Sequence, residues 1–140
     1  MNAQTRYFTL AGAAGALECA LDLPDPARFG APRGIALVGH PHPLYGGTMD
    51  NKVTQTLVRA FVALGCACAR MNFRGVGRSE GEHDEGRGET DDMALLAEHM
   101  RREYPGLPLA HSGFSFGTFV QAQLQQRLAG GGVPAGLPVL

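Results

Sequence analysis

The stretch Gly113-Phe114-Ser115-Phe116-Gly117 stands between an apolar run at residues 107–111 and a helical pattern that starts at Phe116. A G-x-S-x-G sequence at such a junction predicts a tight strand-to-helix turn, because glycines permit the close backbone approach that the turn needs. The turn lifts the serine hydroxyl into solvent, an arrangement called a nucleophile elbow. The stretch therefore predicts an α/β protein with Ser115 exposed at the end of a strand.

Strands alternate with helices on the amino-terminal side of this turn. Residues 35–38 and 66–71 are short apolar runs, typical of strands buried on both faces of a parallel sheet. Apolar residues at helical spacing predict a helix over 50–64, and a second helix is expected to begin at an N-cap, Thr90. The predicted buried stripe of the first helix consists of Val53, Leu57, Ala60, Phe61 and Leu64.

Two further strands are predicted near the amino terminus, at residues 7–10 and 17–23, as an antiparallel pair joined by the small-residue turn 11–15. We expect the strands 66–71, 35–39 and 107–112 to lie side by side in that order, with the early pair beyond 66–71. The whole pattern predicts a mostly parallel sheet of roughly five strands with helices on both faces.

The chain of 140 residues suits a single domain, residues 1–140, that can bury a core. After a predicted last helix at 116–128, residues 129–140 indicate a linker and the start of a further strand, so the domain is expected to be incomplete at its carboxyl end.

Composition excludes several classes of function. The formal net charge of −1 gives no basic footprint, so neither a nucleic-acid partner nor an anionic membrane is expected. No apolar run approaches the length of a membrane span, and the amino terminus shows no secretory signal. Three cysteines, an odd number, favour a reduced cytoplasmic protein whose thiols act as small apolar groups.

The segment His40-Pro41-His42-Pro43-Leu44-Tyr45 follows the first buried strand. In an acyl-transfer enzyme this is where a backbone N–H joins that of Phe116 in stabilising an oxyanion. Proline has no N–H, so the candidate donors in the loop are His42, Leu44 and Tyr45. Two alternatives are a metal site built on the H-x-H pair of His40 and His42, for which no third ligand follows at useful spacing, and a rigid structural turn.

The segment 72–81 contains glycines that invite a dinucleotide-binding interpretation. They fall at Gly75, Gly77 and Gly81, whereas the fingerprint needs its third glycine where Glu80 stands. We therefore expect a solvated loop with glycines at tight bends, followed by an acidic surface and no nucleotide cofactor.

A serine nucleophile needs a histidine base and an acid. His83 lies in the acidic loop, His99 in a predicted surface helix, and His111 in the strand before the elbow, where its side chain projects from the sheet face. None of the three is expected to reach the Ser115 hydroxyl.

Taken together, the three motifs resemble the α/β-hydrolase superfamily, and most of all a group of small bacterial hydrolases related to dienelactone hydrolase. The resemblance covers about residues 5–128 and rests on the order of the 40–51 loop, the 72–81 loop and the 113–117 turn. It implies Ser115 as nucleophile and an oxyanion hole from Phe116 and the 40–45 loop. It also implies a cofactor-free hydrolase of ester, thioester or lactone bonds in a small acyl substrate.

The chain departs from that family after the elbow. Residues 116–140 contain no Asp, Glu or His, whereas members carry the acid and the histidine in later strands. We therefore expect a truncated chain with impaired activity and an exposed sheet edge that permits homo-oligomers. The alternative is a catalytically inactive hydrolase-like domain that serves as a binding module; a metal-dependent hydrolase using His40 and His42 is a weaker one.

Overall fold

The structure, a computed structural model, describes residues 5–130 and contains five strands and four α-helices in that range. The elements in chain order are β1 (Arg6–Gly12), β2 (Gly15–Asp22), α1 (Pro26–Phe29), β3 (Gly34–Gly39), α2 (Lys52–Ala63), β4 (Cys66–Met71), α3 (Arg87–Glu103), β5 (Leu109–Gly113) and α4 (Phe116–Gly130). A short 3₁₀ turn, Pro43–Tyr45, follows β3.

All five strands form one sheet in the order β1-β2-β4-β3-β5. The strands β4, β3 and β5 run parallel to one another, β1 and β2 form an antiparallel hairpin, and β2 pairs antiparallel with β4. The predicted strand order and the early hairpin are therefore confirmed. The carboxyl ends of β3, β4 and β5 meet at one edge of the sheet, where the loops with the sequence motifs emerge.

The central strand β3 is buried along its whole length, as expected for a strand with neighbours on both sides and helices on both faces. Its side chains alternate between two clusters: Ile35 and Leu37 pack with α3 and α4, and Ala36 and Val38 pack with α2. The alternation thus directs the side chains of one apolar run to two clusters, one on each face of the sheet.

Helix α2 is rotated relative to the predicted stripe. Its buried residues are Thr54, Val58 and Phe61, whereas Val53 and Leu64 are exposed. Of the predicted stripe only Phe61 is fully buried, because Phe61 and Val58 pack onto small side chains of the sheet and thereby fix which face turns inward.

Helix α3 begins earlier than predicted, and Thr90 lies inside it instead of capping it. Gly86 is the N-cap, and Glu89 accepts hydrogen bonds from the N–H groups of Gly86 at 3.0 Å and Asp84 at 2.8 Å. This carboxylate holds the segment before Thr90 in place, so the first turn forms there.

Smaller differences concern the ends of the last elements. Strand β5 spans Leu109–Gly113, two residues later than predicted, and α4 continues to Gly130 instead of ending at residue 128. Residues 129 and 130 thus belong to a helix instead of a linker, and the predicted strand start at 136–140 lies outside the described residues.

The cysteines are unpaired in the structure. Cys19 and Cys68 are buried and Cys66 is half-buried. Burial raises the pKa of the Cys19 thiol to about 12, so this thiol stays protonated and behaves as an apolar group.

Candidate active site

The turn between β5 and α4 is tight and strained. Ser115 has φ = 56°, in the left-handed region, and it is one of two non-glycine residues with positive φ among residues 5–130. Its side chain is exposed. A left-handed serine between a strand and a helix costs about 1–2 kcal/mol, so the rest of the fold must impose it.

Glycines impose this conformation by allowing two backbones to touch. A Cβ on Gly117 would lie 2.0 Å from the Gly39 carbonyl oxygen, and a Cβ on Gly113 would lie 2.6 Å from the Gly117 carbonyl carbon. The N–H of Phe114 also donates to the Gly39 carbonyl at 3.2 Å. The end of β3 and the start of α4 therefore meet without side chains between them, which fixes where Ser115 emerges.

The loop after β3 lies beside this turn. The rings of His42 and Phe116 are 4.8 Å apart between centroids. Within the loop, the N–H of Leu44 donates to His42 Nδ1 at 3.1 Å, and the N–H of Tyr45 donates to the His42 carbonyl at 3.1 Å. Two of the three predicted loop donors are thus used inside the 3₁₀ turn, whereas the N–H groups of His42 and Phe116 have no acceptor within residues 5–130.

His40 holds this loop to the one that follows β4. Its ring is fully buried, its Nδ1–H donates to the Pro41 carbonyl at 2.7 Å, and its Nε2 accepts the N–H of Phe73 at 3.0 Å. Because an N–H can only donate, these partners assign the proton to Nδ1. Burial lowers the pKa of His40 to about 4. With both nitrogens occupied, His40 has no lone pair for a metal, which overturns the H-x-H alternative.

The loop 72–81 is solvated at its glycine bends, Gly75, Gly77 and Gly81, as the sequence predicted, but buried polar side chains anchor it. Asn72 accepts the N–H of Met49 at 2.8 Å and donates to Glu18 Oε1 at 2.7 Å. The Ser79 hydroxyl donates to the Asn72 carbonyl at 2.6 Å and accepts the N–H of Glu18. Buried Asn72 and Ser79 therefore connect β2, the loop after β3 and this loop. A glycine pattern alone did not reveal these partners, because they come from distant parts of the chain.

The acidic surface expected after Glu80 is smaller than predicted. Asp92 is buried and receives two hydrogen bonds from the Arg74 guanidinium, at 2.8 and 2.9 Å, and these bonds raise the pKa of Arg74. Glu89 is buried as well, on the N–H groups at the start of α3. Exposed acidic charge is left at Glu80, Glu82, Glu85 and Asp91.

The histidines occupy three different environments. His111 is buried, with Nδ1 2.9 Å from Gln121 Oε1, and His99 stacks on Phe8. His83, predicted to be solvated, is instead largely buried, with Nδ1 3.2 Å from Glu89 Oε2. Among residues 5–130, no side chain forms a hydrogen bond with the Ser115 hydroxyl.

Sequence reasoning missed the position of His83, whose ring lies 4.9 Å from that of His42 and 5.3 Å from that of Phe116. Glu89, which accepts the N–H groups of Asp84 and Gly86, helps to hold the loop that carries His83 beside the site. A Glu three residues after a glycine, at the start of a helical pattern, was the available signal.

Comparison with known proteins agrees with this geometry. The family model Hydrolase_4, described as serine aminopeptidase S33, matches residues 43–131. The chain belongs to this family. An α/β serine hydrolase of Xanthomonas campestris, described as lacking a lid, is 39% identical with a TM-score of 0.84, over 92% of this chain and 59% of that one. An α/β serine hydrolase homologue of Coxiella burnetii is 37% identical with a TM-score of 0.79, over 85% of this chain and 56% of that one.

This chain therefore has an α/β-hydrolase fold, and the resemblance found in its sequence is confirmed. A protein of Rickettsia prowazekii, described as uncharacterized, is 43% identical over 97 residues, which are 66% of this chain and 40% of that protein. The chain thus spans less than two thirds of the length of each of these relatives. No helix within residues 5–130 combines the length and apolar character needed to cross a membrane.

Proposed function

We propose that Ser115 is the nucleophile of a serine hydrolase that cleaves carboxylic ester, thioester or lactone bonds. The left-handed backbone of the exposed Ser115, at φ = 56° between β5 and α4, is the observation that carries this proposal. A strained turn has a purpose in such an enzyme, because it holds the hydroxyl above the sheet where an acyl carbon can approach.

The oxyanion of the tetrahedral intermediate is stabilised in this proposal by the N–H groups of His42 and Phe116. Both lack an acceptor within the described residues, and the two side chains are in contact. An N–H without a partner in the free protein gives up no hydrogen bond when it donates to the negative charge that develops on the substrate oxygen.

The base and the acid are the parts that residues 5–130 do not bring to Ser115. We propose that this chain hydrolyses activated esters poorly, since loss of triad members typically costs about 10⁴ to 10⁶ in rate. The oxyanion donors alone support a residual acceleration of roughly 10³ over water.

The test combines fluorophosphonate labelling with turnover of p-nitrophenyl acetate. We expect slow labelling that Ser115→Ala abolishes, and turnover that rises when the chain is extended with the acid- and histidine-bearing segment of a homologue. Labelling that persists in Ser115→Ala would reject Ser115 as nucleophile. Full Ser115-dependent turnover by the chain itself would instead require a base among its own five histidines.

A catalytically inactive binding domain is the second candidate, favoured by the unpartnered Ser115 hydroxyl. It predicts no Ser115-dependent labelling even in the extended chain, so the same experiment separates the two functions.

Two expectations about the setting belong to the proposal. One is a cytoplasmic location, with a small acyl compound as substrate. The other is self-association through β5, which has β3 on one side and no strand on the other within the described sheet. Sedimentation at increasing protein concentration tests it, and a strictly monomeric chain would contradict it.

A further inference from the structure

Four aromatic side chains form a row of ring contacts from the loop after β3 to the start of α4, the helix next to Ser115, with Phe116 buried and His42 half-buried in the middle of the row. We call Tyr45, His42, Phe116 and Phe119 the aromatic row. Neighbouring ring centroids are 5.0 Å apart for Tyr45 and His42, 4.8 Å for His42 and Phe116, and 6.2 Å for Phe116 and Phe119. The row starts in the loop after β3 and ends one turn into α4, so it passes through both segments that hold the proposed catalytic groups.

The two ends of the row are exposed, although apolar groups of this size normally seek burial. Tyr45 is 87% exposed and Phe119 is 48% exposed. Leu44 and Phe114, beside them in the same two segments, are 68% and 49% exposed. Single exposed apolar residues are ordinary, but a contiguous group at one site is typical of a surface that binds an apolar ligand.

The charges beside the row are acidic. His83, whose ring contacts Phe116, lies between Glu82 and Asp84, and Gly86, which packs under Phe119, follows Glu85. Glu82 and Glu85 are exposed. Asp84 is offset by Arg87, at 3.8 Å, and by Arg74, whereas Glu82 and Glu85 form no ion pair within the described residues. A carboxylate on a ligand would therefore meet like charge here.

We propose that the aromatic row binds the apolar, uncharged acyl part of the substrate, with an aromatic or similarly flat group preferred, and that the acidic segment 82–85 disfavours acyl groups carrying a carboxylate. This rests on the proposed function of Ser115. Aromatic rings offer offset-stacked and edge contacts to a flat apolar group, so they supply both affinity and selectivity.

The test measures binding and needs no turnover. The ¹⁵N-labelled chain is titrated at pH 8, where an ordinary imidazole is neutral, with 4-phenylbutan-2-one, with 3-phenylpropanoate of nearly the same shape, and with butan-2-one, which lacks the ring. We expect the phenyl ketone to shift the amide signals of Phe116 and Phe119. The dissociation constant of the carboxylate should be roughly ten times that of the phenyl ketone, and this difference should decrease at high salt. Butan-2-one should bind least tightly of the three.

Substitutions at exposed positions identify the residues responsible while leaving the fold intact. Tyr45→Ala and Phe119→Ala should each weaken binding of the phenyl ketone about three- to ten-fold. Leu64→Ala is the matched control, since Leu64 is 62% exposed at the far end of α2. The double variant Glu82→Gln, Glu85→Gln should show a smaller difference in affinity between the ketone and the carboxylate.

Equal binding of ketone and carboxylate in low salt, or shifts confined to another part of the molecule, would overturn the inference. Because the ketone is not hydrolysed, this result is independent of the labelling of Ser115. If Ser115 is labelled but the phenyl ketone does not bind, the proposed function stands and the proposed substrate class is rejected.

Discussion

The two ends of the parallel strands differ in what they offer a ligand. At the amino ends lies a cavity of about 550 Å³, lined by Arg6, Pro24, Pro32 and Tyr104 among others. None of the residues that line this cavity comes from the loops at the carboxyl ends, where both non-glycine residues with positive φ in the described chain, Glu85 and Ser115, lie. Volume therefore does not mark the candidate site. Backbone strain, close glycine contacts and buried polar groups do.

The largest expected effect comes from filling the glycine contact at the carboxyl end. In Gly117→Ala the new Cβ would lie 2.0 Å from the Gly39 carbonyl oxygen, and neither backbone can move without displacing a strand or a helix. We expect a loss of about 4 kcal/mol or more in the free energy of unfolding, measured in urea.

The matched control is Gly106→Ala at the amino end. Gly106 has φ = 80°, but a Cβ there meets nothing within 4 Å, so only the left-handed backbone is penalised, at about 1 kcal/mol. Equal losses in the two variants would show that the two ends are equally constrained.

The next effect concerns a buried ion pair that joins β2 to the carboxyl half of β4. Asp22 is 3% exposed and accepts hydrogen bonds from Arg70 and Thr5, each at 2.6 Å, and Arg70 is fully buried. Asp22→Asn leaves this guanidinium without its buried carboxylate, and we expect a loss of about 3 kcal/mol. Asp50→Asn serves as control, because Asp50 is 56% exposed and 3.6 Å from Arg70, and it should cost less than about 0.5 kcal/mol. Urea unfolding that ranks the two in reverse order would contradict this.

The pH dependence of the free energy of unfolding tests the carboxyl end, where His40 is buried. Its folded pKa of about 4 is below the ordinary value of 6.5, so between those values the unfolded chain binds more protons than the folded one. Stability is therefore full above pH 6.5 and falls as the pH drops toward 4, by at most about 3 kcal/mol.

His111, whose pKa burial also lowers, adds a loss in the same direction. In His40→Gln the slope of unfolding free energy against pH should be shallower in this window, and His111→Gln should act likewise. An unchanged slope in the double variant would show that neither ring titrates on unfolding.

The smallest effect concerns the strain itself. Ser115→Gly relieves the left-handed backbone and should raise the free energy of unfolding by about 0.5–1 kcal/mol, while removing the hydroxyl that fluorophosphonates label. Ser115→Ala also removes the hydroxyl but keeps the strain, so its stability should stay near that of the parent. Equal free energies of unfolding for Ser115→Gly and Ser115→Ala would show that the turn is not strained.

Local pattern was sufficient to predict the sheet. The continuous apolar run of β3 and the strand–turn–helix context of Ser115 are properties of neighbouring residues, and both are confirmed as local structure. The role of Ser115 in catalysis remains a prediction, as do the oxyanion donors.

Long-range partners were not predictable in the same way. Helix α3 starts at Arg87 because Glu89 finds N–H groups in a loop, and α2 is rotated because Phe61 meets small side chains from three strands. From the sequence alone His40 is an ordinary loop histidine, because its partner, the N–H of Phe73, lies 33 residues further along the chain. Each of these depends on which segments become neighbours in the fold, and periodicity carries no such information.

The position of β4 between β2 and β3 also has a consequence during synthesis on the ribosome. The hairpin of β1 and β2 can close early, since its strands are adjacent in the chain. The strand β3 emerges before either of its neighbours, because β4 and then β5 follow it. A nascent chain that stops short of β4 therefore carries three unpaired strand edges, one on β2 and two on β3, which are targets for chaperones and for aggregation. Insertion of β4 closes the edge of β2 and one edge of β3 at once, whereas the second edge of β3 stays open until β5 has been made, so the protection of the central strand is completed only by the last strand of the sheet.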